Sequence, residues 1–317
     1  MFLFLPAIII GIILLWQGAD FLIRGGQGIA KNLDVSPIVI AITIIALGTS
    51  LPELVVRVLA ALGGNADIAL GNTVGSNIAN IGWVLGFSVL CLGSVSMDRH
   101  MLSKEFPFMI AAPVVLFLLG LDGLFSRLDG IILIAISVLF HLVLIKRVRE
   151  GKFRRMIEDI GEAVIQKEKK YLFYVLAIVL GLIGLILGAK LVIDSSVGIA
   201  SILRIPTLII GLTLVTFGTS LPELATSLIA AKRRQGEVSL GDVVGSNILN
   251  IFLILGITLV IVPIPIPRSV LIFDVPVMAV FALLLFLALL KYGKLRRREA
   301  AVLLGLYAVY IGYSFLK

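Results

Sequence analysis

Two glutamates carry most of the chemistry this sequence can offer. Glu53 lies in LGTSLPEL (47–54) and Glu223 in FGTSLPEL (217–224), 170 residues later, each inside an otherwise apolar run. Thr49 and Ser50 precede Glu53 by four and three residues, and Thr219 and Ser220 precede Glu223 in the same way. On a helix, each set of three points to one side. In the apolar run that follows each octet, Ser76 and Asn80 are four apart, as are Ser246 and Asn250. All of these are oxygen donors, without a His or Cys among them. Such a set suits a hard cation such as Ca²⁺ or Na⁺ and not zinc or copper.

The octets also break their own helices. Pro52 has no N–H and its ring clashes with the carbonyl of Gly48, so a helix must kink or end near 46–50. Carbonyls from about Ala46 to Thr49 are expected to lose their helical partners, and in an apolar medium each must find a donor or a cation. Downstream, Pro52 falls in the first turn of a new helix, where proline is tolerated. The second octet repeats the arrangement at Pro222.

A glutamate in an apolar helix can instead be half of a structural ion pair, and Arg57, four residues after Glu53, offers one. Glu223 has Ser227 at the matching place, so no such pair exists there. A buried, unpaired carboxylate is unfavourable unless it is protonated or binds a cation, which favours a cation site at both glutamates. Arg57 is expected to reach toward an outer vestibule. Asp20 with Arg24 and Lys190 with Asp194 read as four-apart helix pairs near an interface. Asp242 stands where the first copy has Asn72, and is expected near the cytoplasmic end of its helix, either attracting cations to the entrance or favouring the positive helix N-terminus. Cys91 reads as a small packed side chain, and His100 and His141 lie near expected helix ends, without a metal or catalytic role.

The elements that position these residues are apolar helices. Of 317 residues 60% are hydrophobic and only 15% charged, with a mean hydropathy of +1.14. Apolar stretches of about 20 residues recur along the chain, the pattern of an all-α integral membrane protein. Spans are expected at 2–31, 37–63, 68–95, 105–121, 128–146, 171–202, 206–231, 238–263, 270–291 and 299–316, ten in all. The N-terminal run lacks a basic region and a cleavage site, so it reads as a first helix that stays. A net charge of +8 fits basic loops on the cytoplasmic side and needs no nucleic acid. The hydrophilic stretch 147–170 is expected to link two halves, 1–146 and 171–317, as a short amphipathic helix on the membrane surface.

The halves are copies. At a constant offset of 170, Gly28-Ile29-Ala30 matches Gly198-Ile199-Ala200, the octets match, and VGSNIANI (74–81) matches VGSNILNI (244–251). Agreement at Gly, Ser, Asn, Pro and Glu without a gap marks a duplication. Five spans per half is an odd number, so the second half should enter the membrane from the opposite side. Loop charge agrees: LGGNAD after the first octet helix has no basic residue, whereas its counterpart includes Lys232, Arg233 and Arg234. The expectation is two inverted-topology five-helix repeats, with the linker cytoplasmic and both termini outside. Gly71-x-x-x-Gly75 and Gly241-x-x-x-Gly245 should let each Ser/Asn helix approach the broken helix of its own repeat.

GTSLPE followed by GNTVGSNIAN, and GTSLPE followed by GDVVGSNILN, closely resemble the two alpha-repeats of the calcium/cation antiporter superfamily, in its short prokaryotic sodium/calcium exchanger branch. The resemblance covers essentially the whole chain. It implies a plasma-membrane antiporter with four mid-membrane cation sites, one for Ca²⁺ and the others for Na⁺. The ligands it implies are Thr49, Ser50, Glu53, Ser76 and Asn80, then Thr219, Ser220, Glu223, Ser246 and Asn250, with backbone carbonyls of Ala46 and Thr216. It further implies that the first and sixth spans slide to alternate access, that about three Na⁺ balance each Ca²⁺, and that the protein acts as a monomer without an obligatory partner or cofactor. Asn250 stands where some relatives carry Asp, which argues against potassium co-transport and for at most two negative charges in the site. A linker of 24 residues is too short for a calcium-sensing domain. Cation/proton exchange through the same glutamates is the alternative. A channel fits the inverted, broken helices less well, and an enzyme with Ser50 or Ser220 as nucleophile lacks a base.

Overall fold

The computed structural model describes residues 4–33, 35–96, 99–158, 171–202 and 216–314. In chain order the first half has α1 (Phe4–Leu33), α2 (Pro37–Thr49), α3 (Leu51–Leu62), α4 (66–92), β1 (Val95–Ser96), α5 (Arg99–Lys104), α6 (Phe106–Leu119), β2 (Leu124–Phe125) and α7 (Arg127–Glu158). The second half has α8 (Tyr171–Ile202), α9 (Thr216–Thr219), α10 (Leu221–Lys232), α11 (Gly236–Ile261), β3 (Ile264–Pro265), α12 (Val270–Tyr292), β4 (Lys294–Leu295) and α13 (Arg297–Ser314).

Among the described residues, seven helices are long and apolar enough to cross a membrane, and the pair α2 and α3, bent by 42°, makes an eighth span. Of the ten expected spans two are less plain. The seventh, 206–231, begins among residues 203–215, outside the described residues. The tenth is α13, 18 residues long with Arg297, Arg298 and Glu299 in its first turn. The fifth span does not stop at 146, because α7 continues as one helix to Glu158. The linker is therefore helical as far as 158, in line with the span before it, and 159–170 lie outside the described residues.

Burial ranks the helices. In α4 and α11 78% of the apolar stretch is buried, against 28–39% in the other five single-helix candidates. These two form the centre. Around them α1 and α8 pack antiparallel along a glycine seam: a Cβ on Gly18 would lie 2.8 Å from the Gly181 carbonyl oxygen. Only glycine permits backbones so close. The outer faces of α1 and α8 show Ile9, Ile12, Ile13, Leu172, Phe173 and Leu180, an apolar surface suited to lipid. Cys91, near the end of α4, is exposed rather than packed inside, which corrects the expectation for it.

Two short antiparallel ladders join the halves. Val95 and Ser96 pair with Leu295 and Lys294, and Leu124 and Phe125 pair with Pro265 and Ile264. Each ladder thus takes one strand from either half.

Candidate functional site

The break falls where proline requires it. α2 ends at Thr49, Ser50 leaves helical geometry at φ −86° and ψ 7°, and α3 starts at Leu51 with Pro52 in its first turn. Ser220 repeats this at φ −87° and ψ 6°. Three π turns then re-aim the chain around the site, at Ala41–Ile45, Asn80–Leu85 and Asn250–Leu255. A π turn is a local irregularity frequent at functional sites, and two of these open on the asparagines singled out from spacing. Nothing in the residue types announced them. The Ala46 carbonyl does not lose its helical partner, since it accepts the Ser50 N–H at 3.1 Å and faces the Thr49 hydroxyl at 3.2 Å.

The candidate side chains from both halves come together. Thr49, Ser50, Glu53, Ser76, Asn80, Thr219, Ser220, Glu223, Ser246 and Asn250 are all buried. Ser50 donates to Glu223 Oε1 at 3.0 Å, across the halves. Glu53 lies near enough to Glu223 and to Thr219 to interact electrostatically with both. Asn80 Nδ2 donates to Asn247 Oδ1 at 3.1 Å, and Asn247 Nδ2 to the Asn77 carbonyl at 3.2 Å, joining α4 to α11. Thr216 opens α9, which carries Thr219 and leads to the second break.

Many of these oxygens have no hydrogen-bond partner among the described residues: both of Glu53, Oε2 of Glu223, the hydroxyls of Ser76, Ser220 and Ser246, and Oδ1 of Asn80 and Asn250. An orphaned buried acceptor is costly. A cluster of them that includes two carboxylates fits a cation. Among the described residues no three His, Cys, Asp or Glu side chains gather as they would in a resident metal centre. The donors here are mostly neutral, as suits an ion that must also leave.

Three expectations are corrected. Arg57 does not reach an outer vestibule: it is wholly buried, and its guanidinium donates from Nε to Asn72 Oδ1 at 2.8 Å, from Nη2 to the Asn72 carbonyl at 3.3 Å and from Nη1 to the Asn250 carbonyl at 2.9 Å. Asp242 is not at a helix entrance: it is buried, with Thr49 Oγ1 3.2 Å from Oδ1 and Thr226 Oγ1 2.5 Å from Oδ2. The site region therefore holds three carboxylates and one guanidinium, more charge than the two glutamates expected. Finally, Gly241 and Gly245 face the other half rather than their own, where a Cβ on Gly245 would lie 2.6 Å from the Ile42 carbonyl oxygen. The alignment of the copies held the missing signal, because Arg57 against Ser227 and Asn72 against Asp242 are places where they differ in charge.

The surface pairs are as expected, with one addition. Arg24 Nε lies 2.8 Å from Asp20, and Lys190 lies 3.0 Å from Asp194. Asp20 also holds Arg233 of the second half, whose Nε donates at 2.8 Å. His141 is not at a helix end but within α7, where its Nδ1 lies 2.7 Å from the Ser137 carbonyl.

A bundle of apolar helices with a buried, charged, oxygen-lined centre defines a multi-pass membrane transporter of cations, not an enzyme. The family of sodium/calcium exchanger proteins matches residues 3–146 and 173–316, and the chain belongs to it. It is 36% identical over 303 residues to an uncharacterised membrane protein of Methanocaldococcus jannaschii, covering 96% of this chain and 95% of that one. It is 32% identical over 341 residues to the sodium/calcium exchanger MaX1 of Methanosarcina acetivorans, covering 97% of each. The solved sodium-calcium exchanger NCX_Mj, soaked with Na⁺ and Sr²⁺, superposes with a TM-score of 0.83 at 34% identity over 98% of both chains.

Proposed function

We propose that this chain exchanges Na⁺ for Ca²⁺ across the plasma membrane by alternating access to one mid-membrane site shared by Glu53 and Glu223. The observation that carries this is the set of buried oxygens, without partners among the described residues, that accompanies two carboxylates, one from each half. Thr49, Ser50, Ser76, Asn80, Thr219, Ser220, Ser246 and Asn250 complete the ligand set with the carbonyls of Ala46 and Thr216. The Ala46 carbonyl turns its second lone pair to an ion when the Thr49 hydroxyl donates to Asp242 instead of to it.

Two carboxylates in a dry site repel each other and are costly to dehydrate. One Ca²⁺ cancels their charge, and so do Na⁺ ions in sufficient number. The bare site is the state that cannot afford to cross between the two sides, so movement is coupled to loading and the result is exchange, not leak. Because both ions compete for the same glutamates, a sodium gradient drives calcium uphill. No cofactor or partner protein enters this cycle, and the working unit is a monomer.

The halves, 1–146 and 171–317, are in this reading inverted repeats of five spans, with 147–170 cytoplasmic and both termini outside. The two ladders support it, since each pairs a strand of one half with a strand of the other. α1 and α8, sealed to each other and only a third buried, are the elements that slide.

The test is ⁴⁵Ca uptake into proteoliposomes driven by an outward Na⁺ gradient. Glu53→Gln and Glu223→Gln should each abolish it, while the protein still folds. Near-normal uptake in both variants refutes the reading, and uptake that follows a pH gradient without Na⁺ favours cation/proton exchange instead.

A further inference from the structure

Where the two copies differ in charge, the structure places both differences at the site. In the first half Arg57 and Asn72 form one unit. The guanidinium is wholly buried, and its three bonds go to neutral oxygens: Asn72 Oδ1, the Asn72 carbonyl and the Asn250 carbonyl. Asn72 in turn donates from Nδ2 to the Thr219 hydroxyl at 3.3 Å. In the second half the matching places hold Ser227 and Asp242. Asp242 faces Thr49 as Asn72 faces Thr219. Ser227 has a hydroxyl without a partner among the described residues, where its counterpart sends a cation across.

The two mirror-related sides of the site are therefore unequal. The side of Thr49 is backed by a carboxylate, while the side of Thr219 and the Asn250 carbonyl is already served by a guanidinium. Arginine stays charged in any protein environment. A metal ion placed against Thr219 and the Asn250 carbonyl would meet that fixed charge at short range in a medium that screens it poorly.

We propose that Arg57 is a resident cation of the transport site, taking the place of one transported Na⁺ and so lowering the sodium count of the exchange. This rests on the antiport reading above. Glu53, Glu223 and Asp242 supply three negative charges and Arg57 one positive, leaving two for the cargo. One Ca²⁺ or about two Na⁺ balance that charge. The exchange is then electrically silent, rather than carrying the excess charge of about three Na⁺ per Ca²⁺.

The experiment measures ⁴⁵Ca uptake by the full chain in proteoliposomes against Na⁺ concentration and against potassium–valinomycin potentials. For the natural protein the expected Hill coefficient for Na⁺ is about 2, with uptake indifferent to potential. Arg57→Ser, the residue of the other copy, should raise the coefficient by about one and make uptake faster at an inside-positive potential, because one net positive charge now leaves with each Ca²⁺ entering. Adding Asp242→Asn to Arg57→Ser should restore indifference to potential, a rescue that a purely structural arginine would not give. Uptake by the natural protein that responds to potential overturns the proposal, whether or not the variants fold. So does an Arg57→Ser protein that transports with unchanged slope and unchanged indifference. Absence of any sodium-driven uptake by the natural protein instead sinks the antiport reading, and this inference with it.

Discussion

At the scale of the residue, the site is made by what its neighbours fail to satisfy. The hydroxyls of Ser76 and Ser246 follow the glycines of GSN, are buried, and have no partner among the described residues. A serine in the middle of a helix usually bonds back to the carbonyl four residues earlier, as Thr73 does to Ala69 at 2.8 Å. Ser246→Ala should therefore cost the fold little. It should raise the half-saturating Na⁺ or Ca²⁺ concentration by about tenfold, the worth of ~1.4 kcal/mol of lost coordination, read from isotope uptake curves. An unchanged curve would remove Ser246 from the ligand set. The ten side chains inferred from spacing and resemblance are all buried, and Ser50 meets Glu223 across the halves, so a candidate set of oxygen donors was legible in the sequence. Arg57 and Asp242 were misplaced for a physical reason: on a helix taken alone each points outward as readily as inward. Only the packing of α4 on α11 decides which side becomes the centre.

At the scale of the element, glycine determines how closely helices approach, and the sequence does not say against what. Gly71 and Gly241 occupy the same place in the two copies, yet a Cβ on Gly71 meets nothing within 4 Å among the described residues, while one on Gly245, a turn after Gly241, meets the backbone of Ile42 at 2.6 and 2.7 Å. Backbone cannot yield as a side chain can. Gly245→Ala should destabilise the protein by about 1–3 kcal/mol through overpacking, while Gly71→Ala should leave stability unchanged; thermal unfolding in detergent measures both. Equal Tm losses in the two variants would contradict this packing of α11 against α2. The π turns at Asn80 and Asn250 were not legible at all, because a π turn is selected by the packing of a whole span and not by a local residue type. The helix breaks were legible, because Pro52 and Pro222 forbid one particular hydrogen bond.

At the scale of the whole molecule, duplication was the most readable feature, since an ungapped offset survives any uncertainty in helix ends. The number of spans was less readable, because α13 begins with three charged residues and α7 continues past its apolar part. Orientation is open to a direct test. Replacing Cys91 with Ser and placing single cysteines in 147–170 and near residue 316 should give opposite labelling in sealed vesicles. A membrane-impermeant maleimide added outside right-side-out vesicles should reach the C-terminal cysteine and not the linker. Labelling of both from one side would mean an even number of spans in the second half.

The glycines of the two octets have a role that their motif did not announce. A Cβ on Gly48 would lie 2.2 Å from Leu182, and one on Gly218 would lie 2.3 Å from Ile193, both on α8. α8 thus crosses both broken helices where neither has a side chain to catch on. If α8 slides as proposed, Leu182 and Ile193 must leave these two gaps, and its outer face, with Leu172, Phe173 and Leu180, must shear the surrounding acyl chains. Turnover should then depend on the fluidity of the membrane as well as on the fold.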